Sequence, residues 1–176
     1  MLALAAGAVV YIQGSRTEPP AVAEAAAPSA PAVETSSSPP SPVPSPEVPP
    51  RPHAQKAYPP LNLPGYALGR STEVITAAYR FAAEHPEILT YVPCFCGCER
   101  MGHHGNEDCF VKARAANGDV RAWEDHGMEC NVCLDVAQQA MQMYTSGASV
   151  RDIRAAVEAK WTPRLHNHTP TPDPPK

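Results

Sequence analysis

The one extended apolar run in this sequence, residues 1–12 (MLALAAGAVVYI), is too short to cross a bilayer alone, since a membrane helix needs roughly 20 residues. It also lacks the basic residues that precede the apolar stretch of a signal peptide. Broad basic surface is missing too. The 14 Lys and Arg are scattered singly among 18 Asp and Glu, for a net charge of -4. Nothing resembles a phosphate-binding face, so neither nucleic acid nor nucleotide is an expected partner. No cysteine precedes Cys94, so a lipid anchor on an N-terminal cysteine is not expected. Leu134 stands where a histidine would have to follow Cys133 for covalent c-type haem, which removes haem from the expected cofactors. The strand–helix–strand alternation of a thioredoxin-like domain is absent as well.

What is present is unevenly placed. Of 22 prolines, fourteen fall between Thr17 and Pro60, among Ala, Ser, Glu and Val with almost no large apolar side chain. Such a composition cannot bury enough surface to offset chain entropy, so residues 17–57 read as a disordered linker. Extended at about 3.1 Å per residue, it would hold a domain on the order of 100 Å from its anchor. Residues 1–16 read as a membrane anchor or truncated signal segment, with the natural start expected upstream. Anchor and linker together predict an extracytoplasmic protein, in the periplasm or cell envelope, tethered by or exported through its N-terminal segment. Residues 58–164 form the one globular region, and the proline-containing tail 165–176 is expected to be disordered.

Within 58–164 the pattern is mainly α. The spacing predicts three to four helices and a long ligand-bearing loop. Ser71 caps a helix carrying Val74, Ile75, Ala78 and Phe81 that ends near His85, before Pro86. Residues 99–128 lack steady periodicity and read as loop, with a short helix over 108–115. Cys130, Cys133, Ala137, Met141 and Tyr144 recur at steps of three and four and share a helix face that ends near Ser146-Gly147. Ser149 caps a last helix with Val150, Ile153, Val157 and Trp161 on its inner face.

All six cysteines lie in this region. Pro93-Cys94-Phe95-Cys96-Gly97-Cys98 places three thiols at alternating positions, with a glycine that lets the backbone fold around a shared ion. Cys130 and Cys133 form a C-x-x-C pair at a helix start, where free backbone N–H groups favour thiolate. Cys109 lies between, together with His103, His104 and His126 as further candidate ligands and Met101 and Met128 as possible thioethers. Soft sulfur mixed with imidazole suits Cu(I) or Zn(II) and disfavours calcium or magnesium. The expected site is therefore Cys94, Cys96, Cys98, Cys109, Cys130 and Cys133 around a soft metal ion.

Two other readings stay open. In a redox protein, Cys130 would attack a disulfide or peroxide and Cys133 or a member of the 94–98 cluster would resolve the intermediate. In a disulfide-stapled interaction domain all six thiols would be paired, as is common in small exported domains. The crowding of three cysteines within five residues argues against that last arrangement.

PCFCGC at 93–98, with Cys109 and the 130/133 pair downstream, resembles the bacterial PCYCGC-motif family, also described as CYCxC (seleno)proteins. Phe95 replaces the family tyrosine. The resemblance covers roughly residues 58–162. It implies an exported protein, and selenocysteine in some relatives implies a reactive chalcogen and not a purely structural bridge. Cys94, Cys96 and Cys98 are the carried-over positions. The expected partners are thus a metal ion, the membrane through the N-terminal segment, and an extracytoplasmic metal or redox partner protein.

Overall fold

A computed structural model describes residues 50–176, and the anchor and most of the linker lie outside the described residues. The element order is α1 (Thr72–Glu84), α2 (Pro86–Leu89), β1 (Val111–Arg114), β2 (Val120–Trp123), α3 (His126–Glu129), α4 (Asn131–Thr145) and α5 (Val150–Trp161). The three long helices fall where periodicity places them. α2 and α3 are single turns, and they raise the number of helices to five among the described residues. α2 begins at Pro86, whose fixed φ suits a first helical position while ending α1.

The core forms where α4 packs against both α1 and α5. α1 contributes Ile75, Ala78, Tyr79 and Ala82, α4 contributes Leu134, Val136, Ala137 and Ala140, and α5 contributes Ile153 and Val157, all buried. Ser149 caps α5 as expected, its hydroxyl accepting from the Asp152 N–H. Ser71 occupies the N-cap position of α1, but its side chain makes no cap hydrogen bond.

The short helix expected over 108–115 is not there. A 3-10 turn at Glu107–Cys109 runs directly into β1, which pairs antiparallel with β2 in a two-stranded hairpin. The register, Val111 with Trp123, Ala113 with Ala122 and Arg114 with Val120, shifts twice along its length. Asn117-Gly118 supplies the turn, a strong hairpin signal that outweighs the helix propensity of the alanines around it. Val111 and Val120 are buried on the inward side.

Arg114 fastens this hairpin to the helices. Its guanidinium donates to the carbonyls of Ala82 (2.9 Å), Ala83 (3.1 Å) and Gly118 (2.9 Å) and pairs with Glu107 at 2.8 Å. It thereby occupies carbonyls at the C-terminal end of α1, where positive charge is favoured. Burial nevertheless raises the Glu107 carboxyl above its ordinary range, despite the arginine.

Ordered contacts extend beyond both expected boundaries of the globular region. The His53 N–H donates to the Glu84 carbonyl at 2.8 Å, and the Gln55 side chain bridges to the backbone of Val120. At the other end Thr169, within the segment 165–176, is fully buried and doubly hydrogen-bonded to Cys94. Pro lacks only an N–H and leaves the intervening threonines free to pair.

Replacing Arg114 with Ala leaves the buried Glu107 carboxylate and helix-end carbonyls unpaired. We expect a loss of about 3–5 kcal/mol in urea unfolding followed by circular dichroism. Lysine should restore only part of it, because it cannot reproduce the fork of donors.

Candidate metal centre

Three chain segments meet at one point. The first is the loop 93–98 that follows α2. Gly97, at φ +80°, lies in the left-handed region that favours glycine and turns the chain so that Cys96 and Cys98 can both face inward. The second is the turn carrying His103 to Cys109. The third is the α3–α4 junction, which supplies His126, Cys130 and Cys133. Gly127 is required here, because a Cβ at that position would lie 2.5 Å from the Cys109 carbonyl and the Phe110 ring. Its absence lets α3 approach Cys109 directly.

Asn106 and Thr169 hold these segments in register. Asn106 is fully buried. Its N–H donates to the Val92 carbonyl (2.8 Å), its carbonyl accepts from the Cys109 N–H (3.2 Å), and its side-chain amide donates to the Cys133 carbonyl (3.3 Å). Thr169 accepts from the Cys94 N–H through its hydroxyl and donates its own N–H to the Cys94 carbonyl, both at 2.9 Å. Tyr79, from α1, accepts from the Met128 N–H and donates to the Glu124 carbonyl, fixing the approach to α3.

The sulfurs lie close together. Cys94, Cys96 and Cys133 form a triangle with Sγ–Sγ sides of 3.1, 3.4 and 3.4 Å. Cys109 lies 3.4 Å from Cys94 and 3.8 Å from Cys98. His103 Nδ1 is 3.7 Å from Cys109, and His126 Nε2 is 3.9 Å from Cys96. An ion bound tetrahedrally at about 2.3 Å from each sulfur has sulfur–sulfur edges of about 3.8 Å, whereas a disulfide needs about 2.05 Å. All six cysteines are free thiols in this geometry.

The structure thus brings together most of the predicted ligands. Cys94, Cys96, Cys98, Cys109, Cys133, His103 and His126 fall into groups whose ligand atoms all lie within 4.8 Å of one another and could hold a metal ion. Cys130 sits at the margin, near Cys133 and Cys96 but outside those groups. His104 is not brought in. It is exposed, and its backbone serves Asp108 and Thr171 instead. Met101 is exposed on the surface and Met128 is buried in the core. Asn106, Thr169 and Gly127 were not singled out from the sequence. A polar residue between Gly105 and Glu107, and a threonine among prolines, carry no local signal of burial.

Close thiols cannot all ionise, and they sort by who donates to whom. Hydrogen bonds from Cys109, then from Cys133, lower the Cys94 thiol to about 4. Cys96 is lowered further, by Cys109, Cys130 and Cys133 in turn. Cys109 is driven up, first by its contact with Cys133. In Cys133 the pull of Cys109 is outweighed by Cys130, Cys94 and Cys96, and the thiol rises. Cys98 also rises, the lowering by Cys109 being outweighed by Cys94 and Cys96. Cys130 does stand at the N-cap of α4, yet its thiol is raised, because the favourable contact with Cys133 is outweighed by Cys96 and by burial. The thiols held lowest are thus those of Cys94 and Cys96.

A family model described as a protein of unknown function with a PCYCGC motif matches residues 58–174. The chain belongs to the PCYCGC family. No curated protein and no solved structure matches it. The match extends past α5 to include Thr169, in keeping with the tail's place against Cys94. Phe95, the one departure from the motif within the hexapeptide, is buried, with its ring 5.8 Å from that of His168.

In the reduced, metal-free protein at pH 6, iodoacetamide should modify Cys96 first, since it is both thiolate and only half-buried. Cys109 and Cys133 should react at least about tenfold more slowly, as read by peptide mass mapping.

Proposed function

We propose that this PCYCGC protein is an extracytoplasmic soft-metal-binding protein that captures or passes on Cu(I) or Zn(II) through clustered thiolates. The convergence of five buried or half-buried cysteines and two histidines at ligand-to-ligand spacing carries this reading. Thiolate and imidazole together favour these ions over hard cations. A groove of about 590 Å³, lined by Phe95, Cys96, Gly97, Val132, Leu165 and His166, opens onto Cys96 and offers an entry path. The apolar residues 1–12 and the proline-rich linker support placement outside the cytoplasm, with the domain held away from the membrane to meet a metal-donating or metal-accepting partner.

A thiol–disulfide role is the second reading, favoured by the low Cys96 thiol with Cys94 at 3.1 Å. Cys96 would attack a substrate disulfide, and Cys94 would then displace the mixed disulfide. The substrate would leave as two thiols, and Cys94 and Cys96 would be left oxidised to a disulfide.

Elemental analysis with thiol counting on the full chain, purified without added metal, separates the two. Near-integral copper or zinc with thiols shielded from alkylation supports the binding reading. Absence of metal with a Cys94–Cys96 disulfide overturns it in favour of the redox one. Cys96→Ser together with Cys98→Ser should abolish stoichiometric uptake while circular dichroism stays near that of the parent, and unchanged uptake would reject the assignment.

Binding should weaken as pH falls. Cys98, Cys109 and Cys133 are held above the ordinary thiol value, so they are protonated near neutrality and the metal must displace those protons. Each proton displaced makes the apparent affinity drop about tenfold per unit of decreasing pH. A chelator-competition titration between pH 6 and 8 reads the slope.

A further inference from the structure

The cluster holds more ligands than one ion can use. A structural soft-metal site takes four, and the sulfurs and imidazoles here, which fall into three overlapping groups, can be divided into two such sets that share one member. Cys94, Cys96, Cys109 and Cys133 form the first set. Their measured edges run from 3.1 to 3.4 Å, and the remaining pairs lie within 4.8 Å. Cys98, His103, Cys109 and His126 form the second, with all ligand atoms again within 4.8 Å of one another. Cys109 belongs to every ligand group in the structure.

We propose that the site binds two divalent ions, one in an all-thiolate set and one in a mixed thiolate–imidazole set, bridged by the Cys109 sulfur. This deepens the metal-binding reading and rests on it. Three observations beyond the ligand count support it. First, the His126 ring has one nitrogen, Nδ1, buried without a hydrogen-bond partner among the described residues, and the other, Nε2, 3.9 Å from Cys96. A ligand nitrogen of this ring lies within 4.8 Å of Cys98, His103 and Cys109, so the second set has an imidazole free to take an ion.

Second, one four-coordinate ion in the first set leaves Cys98, His103 and His126 unused, although Cys98 is 1% and His103 8% exposed and both lie within ligand distance of Cys109.

Third, the two sets have separate openings. The groove at Cys96 serves the first, and a cleft of about 370 Å³ lined by Met101, Gly102, His103, Asp108, Lys112 and Glu124 reaches His103 of the second. Tetrahedral all-sulfur and two-sulfur, two-nitrogen surroundings are those that zinc prefers among divalent ions, and cobalt(II) reports on them spectroscopically. Cys130, outside both sets but in contact with Cys133 and Cys96, is placed to exchange with a ligand of the first.

The test is cobalt(II) titration of the reduced full chain, followed by native mass spectrometry, optical absorption and electron paramagnetic resonance. About two ions per chain are expected, with the cobalt spin signal falling as the second ion binds and couples through the shared sulfur. X-ray absorption of the zinc form should show a metal–metal vector shorter than about 4.6 Å, twice the metal–sulfur distance. His103→Ala with His126→Ala should leave one ion in an all-thiolate spectrum. Cys109→Ser should abolish the coupling.

One ion per chain, with His103 and His126 dispensable, would overturn the two-ion proposal and leave metal binding standing. Two ions without spin coupling or a short metal–metal vector would overturn the bridge. No bound ion would overturn the metal-binding reading itself.

Discussion

Mutual repulsion among crowded thiolates is the constraint on which the rest of the structure depends. Three segments of the chain deliver Cys94, Cys96, Cys98, Cys109 and Cys133 to one point, with adjacent sulfurs 3.1–3.8 Å apart. At such separations in a poorly solvated interior, only a few of the sulfurs can carry charge unless cations lie among them. The uneven sorting of the thiols, with Cys94 and Cys96 low and the rest high, is the metal-free answer to that constraint. In the proposed metal-bound form the other answer is coordination, which makes thiolates of the clustered cysteines into ligands.

The fold holds this crowding in place through polar contacts as well as through the hydrophobic core, of which Cys94, Cys98, Cys109 and Cys133 are part. The α1–α4–α5 packing supplies a platform, but the segments that bear the ligands are loops and single turns. Loops cannot be held by apolar burial alone, since their backbone groups need partners. Asn106 meets this need for three of them at once, and Thr169 does so for the first from outside the helical region. Arg114 and Tyr79 then anchor the hairpin and α3 to α1. Each of these is buried or half-buried, so each contact is stronger than its surface equivalent and costly to remove.

Much of this was legible beforehand where it rested on periodicity. α1, α4 and α5 follow from apolar residues at steps of three and four, and the inward face of α4 carries Cys133 and Ala137 as that spacing requires. The hairpin was legible in Asn117-Gly118 but was masked by helix-favouring alanines. His103 and His104 are neighbours of the same type, and local sequence cannot tell them apart. The turn direction sends His103 inward and leaves His104 at the surface. Cys130 stands at the start of α4 as its spacing predicts, and there Cys96 and burial raise its thiol, an influence that no local reading of the helix start contains.

By itself the sequence determined the kind of chemistry, because six thiols with C-x-C and C-x-x-C spacing are a covalent property of the chain. It also determined the long helices, because their periodicity is local. Only the tertiary structure decided which ligand atoms come close enough to share an ion, which thiols are lowered and which raised, and that Cys109 lies at the centre of the cluster. These depend on distances between segments far apart in the chain, and such distances arise only when Asn106, Thr169 and the glycines bring the loops together.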